Sequence, residues 1–119
     1  LADVRRAADL EAATYVKLKL MKLGSLAALE EGLAEAKVLG LIPVLGNGVA
    51  ADIGCWMEAC VAAAHVATAG EMNGFLKPRR PVALNPLTVE GGCVVIPPGY
   101  RPSLDEAALE AQTLARAGA

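Results

Sequence analysis

Residues 15–22, YVKLKLMK, alternate strictly: Val16, Leu18 and Leu20 fall on one side and Tyr15, Lys17, Lys19 and Met21 on the other. A period of two predicts a strand. The next thirty residues narrow the fold. Gly24-Ser25 breaks the alternation, and Ser25 stands where a helix N-cap belongs. Leu26, Leu29, Leu33 and Ala36 then recur at helical spacing to about Leu39, with Glu30, Glu31 and Glu35 turned away. Gly40 sits at the position of a helix C-terminal glycine. Leu41 to Leu45, LIPVL, is apolar throughout, as in a strand buried on both faces. A strand, a crossover helix and a second strand in that order predict a parallel pair with a right-handed connection.

The flanks extend the pattern. Asp3 to Ala13 favours a helix, an Ala-rich helix is expected from about Asp52 to Thr68, and a third short strand around Met72 to Leu76. The expected order is therefore α-β-α-β-α-β. Past it, Lys77 to Pro86 (KPRRPVALNP) is irregular; LTVE and CVVI flank Gly91-Gly92 as a hairpin signal. Ser103 to Glu106 reads as a capping box opening a helix to about Ala117, before Gly118. Three parallel strands leave two open edges and one bare face, which parallel sheets rarely tolerate. More strands are expected from another chain or from a further part of the same one. The first residue is Leu rather than Met, so a piece of something longer is expected.

Composition removes whole classes of function. Eleven Lys and Arg against thirteen Asp and Glu, with four aromatic residues, argue against nucleic-acid binding. An apolar fraction of 55% argues against disorder. Cys55, Cys60 and Cys93 lack metal-knot or disulfide spacing; Cys55 and Cys60 are expected to be small core residues, and a reducing cytoplasm is expected. The most lipid-like window, 49–69, holds Asp52, Glu58 and His65, and reads as a buried helix rather than a membrane span. No signal peptide is expected at the start.

The chemistry centres on Lys17 and Lys19, at i and i+2 on one strand face. On an exposed edge they are a solvated face that deters aggregation. Facing a confined interior, two ammonium groups disfavour each other's charge, which makes a lysine a usable general base near neutral pH. Lys22 closes a Lys-x-x-Lys spacing. His65 is expected to be a packed, hydrogen-bonded residue, Asp52 a helix-start acid, Glu58 a partnered helix residue, and Arg79-Arg80 a solvated loop. Asn47 is either a turn residue in a left-handed conformation or part of a site.

The run VKLKLMKLGSLAALEEGLAEAKVLGLIPVLGNG, with Lys19-Leu-Met-Lys22, Gly24-Ser25 and Gly40 to Gly46, resembles the C-terminal barrel segment of the enolase superfamily. The likeness is to its muconate-lactonising, mandelate racemase and dipeptide epimerase branch. Ala62 to Ala67 matches the next barrel helix, and Gly91 to Pro98 the tail returning to the capping domain. The resemblance implies an α/β fold: residues 1–80 as strands six to eight of a TIM-like barrel, and 81–119 as a return segment with a hairpin and short helix. It implies an isomerase or lyase abstracting the proton α to a carboxylate, with Mg²⁺ and a Lys or His base. Lys19 matches the base; Lys17, Lys22, Asn47, Glu71 and Asn73 are the expected substrate-binding residues. Metal ligands and the opposite-face partner are expected outside this chain. Relatives often carry Met-x-Glu where this chain has Gly46-Asn47-Gly48, and epimerases carry Asp-x-Asp-Gly where it has Glu71-Met72-Asn73-Gly74.

Two other readings remain at this point. One is a non-catalytic barrel fragment whose strand edges assemble into a homo-oligomer. The other is a Rossmann-like binder, which the lack of a GxGxxG fingerprint weakens. The expected partners are a small carboxylate substrate and the remainder of a barrel, from a longer chain, a partner chain or further copies, with no nucleic acid and no membrane.

Overall fold

The computed structural model describes residues 1–47 and 50–114. Helix α1 (Ala2–Asp9) leads to strand β1 (Tyr15–Leu18), a one-turn helix α2 (Leu20–Leu23) and helix α3 (Leu26–Val38). Strand β2 (Ile42–Leu45) comes next, then helix α4 (Asp52–His65), a short 3-10 helix (Gly74–Leu76), the hairpin β3 (Thr88–Glu90) and β4 (Cys93–Val95), and helix α5 (Glu106–Gln112). β1 and β2 pair in parallel with Tyr15 opposite Ile42 and Leu18 opposite Leu45. The β-α-β unit is thus as expected.

Both ends of α3 are capped as the residues dictate. The Ser25 hydroxyl accepts from the Ala28 N–H at 3.1 Å. At the other end Gly40 takes φ +76, its N–H bonding Lys37 O and the Leu41 N–H bonding Ala36 O. That paired closure reverses the chain into β2. Leu29, Leu33 and Ala36 are fully buried and meet Leu18, Leu41, Leu45 and Val4 in the main core. A smaller core of Cys55, Phe75 and Leu87, with Trp56 and Tyr100 packed against it, ties α4 to the C-terminal third.

Several boundaries differ from expectation. β1 ends at Leu18, not Lys22. Gly24, at φ +83, returns its N–H to Leu20 O at 2.9 Å and closes α2. The turn lets both Leu20 and Leu23 pack on the main core, which a strand, alternating sides, would not. The third strand is reduced to a single parallel bridge, Gly46 to Glu71, because the chain then turns through Asn73 and drops Phe75 into the smaller core. α1 ends at Asp9, four residues early, with Glu11 at φ +49 reversing the chain. α4 ends at His65 rather than Thr68, since Val66 is extended and the Thr68 hydroxyl donates to Pro43 O of β2 at 3.0 Å.

The expected capping box is also displaced. Ser103 is held outside the helix by Leu84 and Asn85, and Asp105 caps α5 through the Ala108 N–H at 2.9 Å. α5 stops at Gln112. Its expected end at Ala117 and Gly118, like Gly48 of the turn after β2, lies outside the described residues. The hairpin forms as expected, with Gly91 and Gly92 both at positive φ. Cys60, expected in the core, is exposed; Cys55 is buried, and burial pushes its thiol pKa up. Among the described residues no helix is long and apolar enough to cross a membrane.

Candidate active site

Lys17 and Lys19 converge over Gly46. Although β1 ends at Leu18, Lys19 keeps an extended backbone, φ −140 and ψ 136, so the two lysines still share a face. The Gly46 N–H continues the pairing by bonding Leu18 O at 2.9 Å. A Cβ at Gly46 would stand 2.8 Å from Lys17 Cδ and 3.2 Å from Lys19 Cε. The missing side chain is what lets both stems lie across the end of β2.

Glu71 completes the cluster. Its backbone is zipped to β2 by two bonds, Glu71 N–H to Leu45 O at 2.9 Å and Asn47 N–H to Glu71 O at 3.1 Å. Its carboxylate accepts from Lys17 Nζ at 2.8 Å, both side chains being about half exposed. The bond from Lys17, backed by the charges of Lys17 and Lys19, holds the Glu71 carboxyl below its ordinary pKa. Lys17 and Lys19 on one side of Gly46 and Glu71 on the other therefore gather two cations and one anion at the end of the sheet.

The other expected site residues are dispersed. Lys22 is exposed in α2 rather than at the end of a strand. Asn47 is 1% exposed and turns inward, its Nδ2 donating to Cys55 Sγ. Asn73 is exposed at the start of the 3-10 helix. Asp52, the helix-start acid, is 2% exposed and accepts from the N–H groups of Val82 and Ala83 at 2.8 and 2.7 Å. It clamps the irregular stretch onto α4. His65 is hydrogen-bonded to Glu30 at 3.0 Å, and Arg79 and Arg80 are exposed.

Two residues near the lysines go beyond what their sequence positions suggest. Gly46 has the signature of a strand break, whereas it is the floor of the cluster. Glu58, expected as a partnered helix residue, is 1% exposed, its Oε2 buried with no hydrogen-bond partner among the described residues. Burial pushes its carboxyl pKa up, against the opposing pull of Leu20 and Lys19. A signal for its burial exists in the sequence: Asp52, Cys55, Glu58, Ala59 and Ala62 form an inward stripe at helical spacing. No group of three or more His, Cys, Asp or Glu able to hold a metal occurs among the described residues, so they do not form a site for the Mg²⁺ that the resemblance implies.

These strands and helices make a small α/β piece whose fold matches part of several solved enzymes. Against muconate lactonizing enzyme from Pseudomonas putida the TM-score is 0.81 at 22% identity, over 92% of this chain and 32% of that one. Against N-succinyl Arg/Lys racemase from Bacillus cereus it is 0.79 at 22% identity, over 95% and 31%. Against L-Ala-D/L-Glu epimerase from Bacillus subtilis it is 0.71 at 21%, over 81% and 27%. The chain thus spans under a third of each of these enzymes. No protein-family model matches it, and no curated protein does.

Proposed function

We propose that this chain supplies the lysine-bearing face of an enolase-superfamily active site. In this reading residues 1–80 are strands six to eight of a barrel, and 81–119 return towards a capping domain. The whole enzyme removes the proton α to a carboxylate in a small substrate, leading to racemisation or epimerisation, cycloisomerisation or dehydration. The observation that supports it is the convergence of Lys17 and Lys19 over Gly46, with Glu71 bonded to Lys17 at 2.8 Å. Lys19, not engaged by Glu71, is the general base: its amine takes the α-proton and the C–H electron pair stays on the substrate. The Lys17–Glu71 pair fixes a cation beside it where a substrate carboxylate is attracted. Mg²⁺ belongs to this reading as an ion held by the remainder of the barrel.

Native mass spectrometry with and without Mg²⁺ tests the assembly. The expected result is a species heavier than the 119-residue chain that carries metal. In that species Lys19→Ala abolishes exchange of a substrate α-proton in D₂O. A metal-free homo-oligomer of the short chain, inactive in exchange with either residue at position 19, overturns the reading.

A further inference from the structure

Asn47 carries an amide where burial disfavours one. It is 1% exposed, and its Oδ1 has no hydrogen-bond partner among the described residues. An unsatisfied buried oxygen costs stability that an apolar side chain of similar size would not. A left-handed turn, the other reason for asparagine at this position, does not account for it: among the described residues the one non-glycine with positive φ is Glu11. Asn47 instead makes three connections. Its Nδ2 donates to Cys55 Sγ in α4, and that thiol donates in turn to Ala50 O at 3.3 Å. Its backbone N–H donates to Glu71 O at 3.1 Å, and its backbone O accepts from the Ala50 N–H at 3.2 Å.

We infer that Asn47 is a positioning residue for the lysine cluster: its side chain, anchored on Cys55, sets the backbone N–H that holds Glu71 beside β2, and Glu71 holds Lys17. The inference rests on the reading of that cluster as an active-site face, and it gives Asn47 a role there without contact with substrate. Each link is a direct bond: Asn47 Nδ2 to Cys55 Sγ, Asn47 N–H to Glu71 O, and Lys17 Nζ to the Glu71 carboxylate at 2.8 Å. Glu71 sits in a single bridge to Gly46, where a full strand would be held by a run of ladder bonds. Its place therefore depends on two backbone bonds, one to Leu45 O inside β2 and one from Asn47 just past the end of that strand. Leu45 is fixed by its pairing with Leu18 and by the main core, whereas Asn47 is fixed by α4. The packing there leaves little slack: a Cβ at Gly74 would stand 3.0 Å from both Asn47 Nδ2 and Cys55 Sγ. A supporting contact of this kind holds a site's groups in one geometry from outside it.

The test follows the Glu71 carboxyl by ¹³C NMR across pH in this chain, its resonance assigned by its loss in Glu71→Gln. Asn47→Ala and Cys55→Ala remove opposite ends of one bond, so either alone reads the anchor. Each is expected to raise the Glu71 midpoint by about half a pH unit as the bond to Lys17 loosens. Leu87→Ala thins the same smaller core without removing either partner of that bond. It is expected to lower the thermal midpoint and to leave the Glu71 titration in place. An unmoved Glu71 midpoint in a folded variant at position 47 or 55, or an equal rise in Leu87→Ala, overturns the positioning role. The titration needs no substrate. Loss of the enzymatic reading alone therefore leaves this coupling intact, and a Glu71 indifferent to Asn47 leaves the proton-exchange test standing.

Discussion

Lys17 and Glu71, 54 residues apart, are bonded at 2.8 Å across the end of the sheet. The bond joins the strand before the crossover helix to the segment after the Ala-rich one, and so closes the lysine cluster on its open side. The Glu71 carboxyl is held below its ordinary value first by this bond and then by the two lysine charges. Its contribution to stability is present above the unfolded-state pKa of about 4.3 and fades as pH falls through the lower folded value. Lys17→Gln is expected to return the Glu71 midpoint upward towards that ordinary value, read by carboxyl NMR. A Glu71 midpoint identical in both proteins refutes the pairing.

Glu58 has the opposite sign. Burial raises its folded pKa, so the folded chain binds a proton more tightly than the unfolded one. Stability is then greatest below the unfolded value and declines as pH rises from about 4.3 through the raised folded value. Glu58→Gln removes that decline. Thermal midpoints of the two proteins at a series of pH values check it: their difference should grow between pH 4 and neutrality (roughly the window set by the unfolded value and the upward shift) in favour of the Gln variant.

Two glycines divide structure from site. A Cβ at Gly74 would lie 2.0 Å from Ala50 O, a backbone atom, whereas the atoms nearest to one at Gly46 belong to lysine stems. Gly74→Ala is expected to cost about 1–3 kcal/mol in denaturant unfolding. Gly46→Ala should cost much less, yet displace both lysines and weaken the Lys17–Glu71 bond, visible as a rise in the Glu71 midpoint. Equal stability losses in the two variants contradict this division.

Asp52 offers a mechanical test. Its Oδ2 accepts from two consecutive backbone N–H groups, Val82 and Ala83, and loss of such a buried acceptor costs about 1–3 kcal/mol. Asp52→Ala should release the irregular stretch and accelerate trypsin cleavage between Arg79 and Arg80. Asp52→Asn, which retains an accepting oxygen, should be intermediate. Cleavage at the wild-type rate in Asp52→Ala shows that something else holds the stretch.

The β-α-β unit is legible because its signals are local: alternation, an N-cap hydroxyl and a C-terminal glycine each act within a few residues. Expectation and structure part where two local patterns compete for the same residues. Leu20 to Lys22 fit a strand by alternation and a helical turn by the packing of Leu20 with Leu23, and only the core beneath them decides. Ser103 and Asp105 both suit an N-cap, and the distant strand-like contacts of Ala83 and Leu84 settle which one serves. Within the site, the shared face of Lys17 and Lys19 is readable from their spacing. Their junction with Glu71 is not, because it depends on the bridge to Gly46. Glu58 is easily passed over because a charged residue on a helix suggests solvent, while its stripe points inward.

Trp56, the chain's one tryptophan, packs on α4 against the smaller core, beside Cys55 on the same helix and two residues before Glu58. Its indole N–H is buried without an acceptor among the described residues. That places a native fluorophore between the lysine-bearing half of the molecule and its C-terminal third. Its emission colour and quenching are therefore a label-free report on whether those two halves are docked.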